Sequence, residues 1–149
     1  MRYLLKISVF LLLMLPQMLL SENNVESCQH KREATYIRFL EEARDPNGNT
    51  AQYFNLKYLS EEMKSNGIPN DEISTRLIKY IGEYSYRHSK VSVISSHIKC
   101  EKEISRGVFK INSSSGRGYV SASYIGGKLV GLSFIEKPDD IDFKSVDKR

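Results

Sequence analysis

Two cysteines and three histidines carry most of the reactive chemistry available to this chain. Cys28 and Cys100 have two options: a disulfide with each other, or a nucleophilic or redox thiol. No C-x-x-C is present. His97 sits three residues before Cys100, and an odd offset along a strand puts two side chains on opposite faces. That separates the imidazole from the thiol it would activate. His30, His88 and His97 show no H-E-x-x-H or H-x-H spacing, so no metal site and no cofactor is expected. They read as surface or capping residues. A serine nucleophile would want G-x-S-x-G, which is absent. The Ser113-Ser114-Ser115-Gly116-Arg117-Gly118 stretch lacks the lysine and following helix of a phosphate loop. It reads as a mobile loop, with Ser115 and Arg117 as its candidate contact residues. The carboxylates Glu41, Glu42, Asp71, Glu72 and Glu83 fall on helix faces or first turns, where solvent or the helix dipole explains them. No catalytic residue is assigned, and the balance leans away from an enzyme.

Whether the cysteines pair depends on the compartment. Arg2 and Lys6 precede an apolar run from Ile7 to Leu15, which Met18, Leu19 and Leu20 extend beyond Pro16. A spanning helix needs about 20 apolar residues, so this run is short, and Pro16 breaks it. Residues 1–21 are therefore read as a signal peptide cleaved after Ser21. An uncleaved anchor is the alternative, since Leu19 fits the A-x-A pattern poorly. Cys28 lies too far from the run, with Glu26 two before it, for a lipoprotein signal. The product is expected in the periplasm or outside the cell, with no stable membrane anchor. In that setting an even cysteine count favours the Cys28–Cys100 bridge.

Processing also changes the composition. The full chain of 149 residues has 22 Lys+Arg against 18 Asp+Glu, a net +4. Removing the two basic residues of the leader leaves 20 against 18, or +2. That balance excludes nucleic acid or a membrane surface as a partner inferred from charge alone. Basic residues do not cluster along the sequence. One domain over 22–138 is expected, with 139–149 a polar flexible tail.

The elements that would position these residues divide into two halves. Gln29 to Arg44 has a helical apolar stripe, stopped by Asp45-Pro46-Asn47-Gly48. Thr50 is read as the cap of a short second helix, and Leu59 to Met63 as a further turn ending at Asn66-Gly67. Asn70 or Asp71 caps a third helix, with Ile73, Leu77, Ile81 and Tyr84 on one face. After Ser85 the period becomes two. Strands are expected over Lys90 to Cys100, Gly107 to Asn112, Tyr119 to Ile125 and Leu129 to Ile135. A phase change near Ile94 implies a bulge. At Gly126-Gly127 an odd-length loop would align Val120, Ala122 and Tyr124 with Val130, Leu132 and Phe134, joining two apolar rows. The opposite face then carries Tyr119, Ser121, Ser123, Ile125, Leu129, Ser133 and Ile135. Its small centre and large margins suit a partner, although a half-solvated outer face also explains them. The inner row offers a single hydroxyl, on Tyr124, which argues against a catalytic cavity. The many tyrosines suit an interface and equally a small core with polar edges. Asn112-Ser113-Ser114 is a glycosylation sequon in a eukaryotic host.

Helices followed by about four antiparallel strands make an α+β domain with helices on one face of the sheet. The order resembles the nuclear transport factor 2-like and cystatin-like folds. The stretch Gly126-Gly127-Lys128-Leu129-Val130-Gly131-Leu132-Ser133-Phe134 is similar to the last strand of small exported bacterial domains of that class. The frequent tryptophan of that strand is missing, and so is the cystatin inhibitor loop Q-x-V-x-G. The resemblance therefore implies a fold and no inhibitor activity.

The functional expectation is an exported, non-catalytic binding domain that meets a protein partner, one form being an inhibitor or immunity protein of the envelope. A homodimer packed sheet to sheet is a further possibility. The alternative is a small ligand-binding protein or enzyme of the nuclear transport factor 2-like kind, with a pocket between sheet and helices.

Overall fold

The computed structural model describes residues 24–146. The expected signal peptide, residues 1–21, lies outside the described residues. Helix α1 spans 24–44, starting five residues before the sequence pattern marks it. Its stop is a turn in which the Asp45 carboxylate accepts from Asn47 N at 2.9 Å, so the side chain supplies the hydrogen bond that the helix no longer can. A 3-10 turn, Thr50–Tyr53, follows, with Asn49 rather than Thr50 at its N-cap. The Thr50 hydroxyl instead accepts from Ser85 Oγ at 2.8 Å. Helix α2, Leu56–Ser65, is capped by Asn55, whose side chain accepts from Tyr58 N. Helix α3, Asn70–His88, takes Pro69 as its N-cap, so Asn70 and Asp71 are inside the helix. Asp71 and Glu72 still complement the dipole of its first turn. Ile73 and Ile81 are buried and Leu77 and Tyr84 are half-buried, as the apolar stripe requires.

Four strands follow as an antiparallel meander: β1 Ser92–Lys99, β2 Ile104–Ser113, β3 Gly116–Ile125 and β4 Lys128–Ile135. A fifth, β5, is only Lys144–Ser145 and pairs with β1, giving the order β4-β3-β2-β1-β5. The sheet thus has one strand more than the sequence pattern implies, and it comes from the segment expected to be loose. The α+β architecture is as expected, with the helices on one face of the sheet.

Two bulges set the register. One is at Ile94, where Val93 opposes Ile111 and Ser95 opposes Lys110. It turns Ile98 onto the same buried face as Val93. The second corrects the hairpin expectation. Gly126-Gly127 is a two-residue turn with Ile125 opposite Lys128. Both glycines have positive φ, +58° and +86°, the type I′ combination that follows strand twist. The extra residue comes one step later, at Val130, between the Tyr124–Leu129 and Ser123–Gly131 pairs. Val120 then opposes Phe134 and Ala122 opposes Leu132, so those two row pairings arise from a bulge in the strand. The even turn lets Leu129 join the core beside Tyr124, and the bulge restores the phase for Leu132.

The core lies between α1, α3 and the inner sheet face. Tyr36, Phe39, Phe54, Phe109, Val120, Ala122, Tyr124 and Leu129 are all fully buried. Tyr36 meets Phe109 with ring centroids 4.4 Å apart, and Phe39 meets Phe54 edge-on at 5.6 Å. Each such ring contributes roughly 2–3 kcal/mol of apolar burial. Cys28 and Cys100 are bonded, tying α1 to the end of β1 across 72 residues.

Candidate functional site

Strand alternation sends every second residue of β1 to β4 outward, away from the helices. The ladder aligns these residues in rows. Lys110 stands between Ser95 and Tyr119, and Tyr119 opposes Ile135. In the next row Val108 stands between His97 and Ser121, and Ser121 opposes Ser133. In the third, Arg106 stands between Lys99 and Ser123, and Ser123 opposes Gly131. Tyr119, Ser121, Ser123, Ile125, Ser133 and Ile135 therefore share the outer face as their alternation implies. Leu129 does not. It is fully buried, because the even turn places it opposite Tyr124 on the inner face.

The Ser113–Gly118 stretch is also tighter than a mobile loop. Ser113 opposes Gly116 in a hairpin whose turn is Ser114-Ser115. The Ser113 hydroxyl donates to the Gly116 carbonyl at 3.0 Å. Ser115 is at the exposed tip, whereas Arg117 is inside β3 on the outer face, opposite Asn112.

The outer face has two properties hidden in the linear sequence. One is its charge. Lys99, Arg106, Lys110, Arg117 and Lys128 project from it, and none of its strand positions is acidic. Scattered in sequence, these residues are gathered by the register. Glu101, on the turn after β1, pairs with Lys99 at 3.4 Å. The useful signal in the sequence was basic residues at even spacing, as at 106 and 110.

The other property is a strap. Residues 136–143 run from the β4 edge of the sheet to β5 at its opposite edge. Phe143 packs on Tyr119 with ring centroids 5.7 Å apart. His97 Nδ1 donates to the Asp142 carbonyl at 3.0 Å. Tyr119 and His97 both point outward, so the strap crosses the outer face. Ser95 confirms its course: it projects outward and is only 8% exposed. The strap carries Glu136, Asp139, Asp140 and Asp142. It covers the Lys110–Tyr119 row and leaves Arg106, Lys128 and Ser133 exposed.

The histidines lie apart. His30 is exposed on α1, 3.8 Å from Glu26. His97 is on the outer face. His88 departs from the surface expectation: it is 1% exposed, stacked on Phe134 at 4.7 Å. The Tyr36 hydroxyl and His88 Nδ1 share a hydrogen bond of 3.0 Å. Burial holds the His88 pKa down to about 4, with the neighbouring Arg87 charge adding to the effect, so the imidazole is neutral near pH 7. Burial also pushes the Tyr36 phenol well above its ordinary range. The Tyr124 hydroxyl is buried without a partner, and the Arg32 guanidinium lies 5.9 Å from the Tyr124 ring. Tyr36, His88 and Tyr124 sit in packed core.

Clefts occur elsewhere. One of 260 Å³ lies between α1 and the β1–β5 edge, lined by Glu26, His30, Glu33 and Lys144 among others. There Ser96 Oγ donates to the Glu33 carboxylate. Tyr58 lines a separate surface depression with Glu61 and Asn66. No helix of the described residues is long and apolar enough to cross a membrane.

Comparisons with protein-family models, curated proteins and solved structures found no match. The domain is α+β, with three helices packed against a five-strand antiparallel sheet, and no neighbour confirms the cystatin-like or nuclear transport factor 2-like fold that the element order resembles.

Proposed function

We propose that this chain is an exported, non-catalytic binding domain that presents the outer face of its sheet to a protein partner. One observation carries the reading. The space between sheet and helices, where a ligand pocket of the rival kind would lie, is filled by Tyr36, Phe39, Phe54, Phe109 and Tyr124, all fully buried. What the molecule offers instead is a sheet face of small residues, Ser121, Ser123, Gly131 and Ser133. Such a face admits close approach of another surface without unfavourable side-chain ordering. The disulfide suits an oxidising compartment, in keeping with a periplasmic or secreted protein. An inhibitor or immunity protein guarding the envelope is one form of this role.

The test is affinity capture from envelope extract with the wild-type chain and with Ser121→Arg/Ser133→Arg, which places two bulky charges on the face. A protein retained by the wild type and lost with the double variant is expected. Equal retention by both would contradict the use of this face. Saturable binding of a small metabolite in the core would favour the rival instead.

A further inference from the structure

We propose that the outer sheet face docks an acidic, extended segment of a partner protein, and that the chain's own strap, residues 136–143, occupies part of that site as a displaceable stand-in. The inference rests on the binding-domain reading and names the chemistry of the partner. The outward strand positions supply Lys99, Arg106, Lys110, Arg117 and Lys128 and no carboxylate. The segment lying across them is of the opposite net sign, with Glu136, Asp139, Asp140 and Asp142 against the single basic Lys137 between Ile135 and Phe143. Among the described residues, none of these four carboxylates forms an ion pair with a basic residue of the face. The field of the face is thus left for a ligand that approaches more closely.

The strap is held lightly. Two ladder positions, Ser95–Ser145 and Ser96–Lys144, and a long hydrogen bond from Val146 N to the Ile94 carbonyl at 3.5 Å anchor its end. Along its length are the His97–Asp142 hydrogen bond and the Phe143–Tyr119 contact. The one hydrogen bond along the span contributes roughly 1 kcal/mol, so between Ile135 and β5 the strap is held mainly by the Phe143–Tyr119 contact. Arg117 and Arg106 are exposed on either side of the covered row. A longer or more acidic chain on the same path would reach both.

The experiment measures fluorescence anisotropy of a labelled oligoglutamate peptide titrated with the exported chain, disulfide intact, at low and at physiological salt. Salt-sensitive binding is expected. Arg106→Glu/Arg117→Glu should weaken it by about tenfold or more, and Arg106→Gln/Arg117→Gln by less. Both substitutions are at exposed positions, and circular dichroism and thermal midpoints check that the variants fold. Phe143→Ser, which loosens the strap, should tighten binding several-fold (on the order of 3-fold). Lys79→Glu on α3 should change nothing. Binding unaffected by the Arg106 and Arg117 variants would overturn the proposal. So would weaker binding by Phe143→Ser, or tighter, equally Arg-dependent binding of a single-stranded oligonucleotide of matched charge. A protein partner that needs Ser121 and Ser133 but ignores both charge reversals would leave the binding-domain reading standing and remove this one.

Discussion

His88 shows how a single buried side chain couples this fold to pH. Its pKa is about 4 in the folded state, against 6.5 for an unperturbed imidazole, because charging it would strand an ion among Tyr36, Phe39, Tyr84 and Phe134. Between these values the unfolded chain binds a proton that the folded chain does not. The contribution is therefore fully present above pH 6.5 and is lost as pH falls toward 4. The shift corresponds to roughly 3 kcal/mol. Urea denaturation at pH 7 and pH 4 should show the wild type losing about that much more stability than His88→Gln. Equal losses would mean that the imidazole is not held neutral by the core. The sequence offered no sign of this burial. His88 stands at the end of α3, where a cation complements the dipole, and its burial depends on Tyr36, 52 residues away.

At the scale of elements, local chemistry was legible where it is local. The Asp45 turn, the stripe of α3 and the Ile94 bulge can all be read from a few adjacent residues. The Gly126-Gly127 hairpin divides more sharply. Matching apolar rows correctly pairs Val120 with Phe134 and Ala122 with Leu132, but the same reasoning places the odd residue in the turn. Turn geometry follows from positive φ at both glycines, whereas the bulge at Val130 reflects tertiary demand. Tyr80 on α3 donates to the Val130 carbonyl at 3.2 Å, which gives the bulged residue a partner the ladder does not supply. Gly126 has φ +58°, and a Cβ there would meet only Asn55 Nδ2, at 3.8 Å. Asparagine adopts this conformation and leaves less entropy in the unfolded chain. Gly126→Asn should accordingly stabilise the domain by about 0.5 kcal/mol, read as a higher thermal midpoint. A lower midpoint would contradict the type I′ assignment. The strap was the least legible element. Most of its residues are polar, and the contacts that hold it lie on strands 24 to 50 residues earlier in the chain.

For the whole molecule, the bridge and the filled core belong to one account. A modest apolar content packs a single aromatic layer, and the Cys28–Cys100 bond closes a long loop in the unfolded chain. That closure is worth about 4 kcal/mol in the chain-entropy account. Cys28→Ser/Cys100→Ser should lose a comparable amount in urea denaturation, and reduction of the wild type should match it. A loss under about 1 kcal/mol would mean that α1 is held by packing alone. With its interior occupied, the binding role proposed above falls to the surface of the domain. Site-specific photo-crosslinking in the producing cells probes that statement most directly, with the reactive group placed at Ser121 on the outer face and, for comparison, at Ser74 on α3. The account predicts a discrete protein adduct from position 121 and none from position 74. Adducts from 74 alone, or none from 121 while the chain is folded and exported, would contradict it.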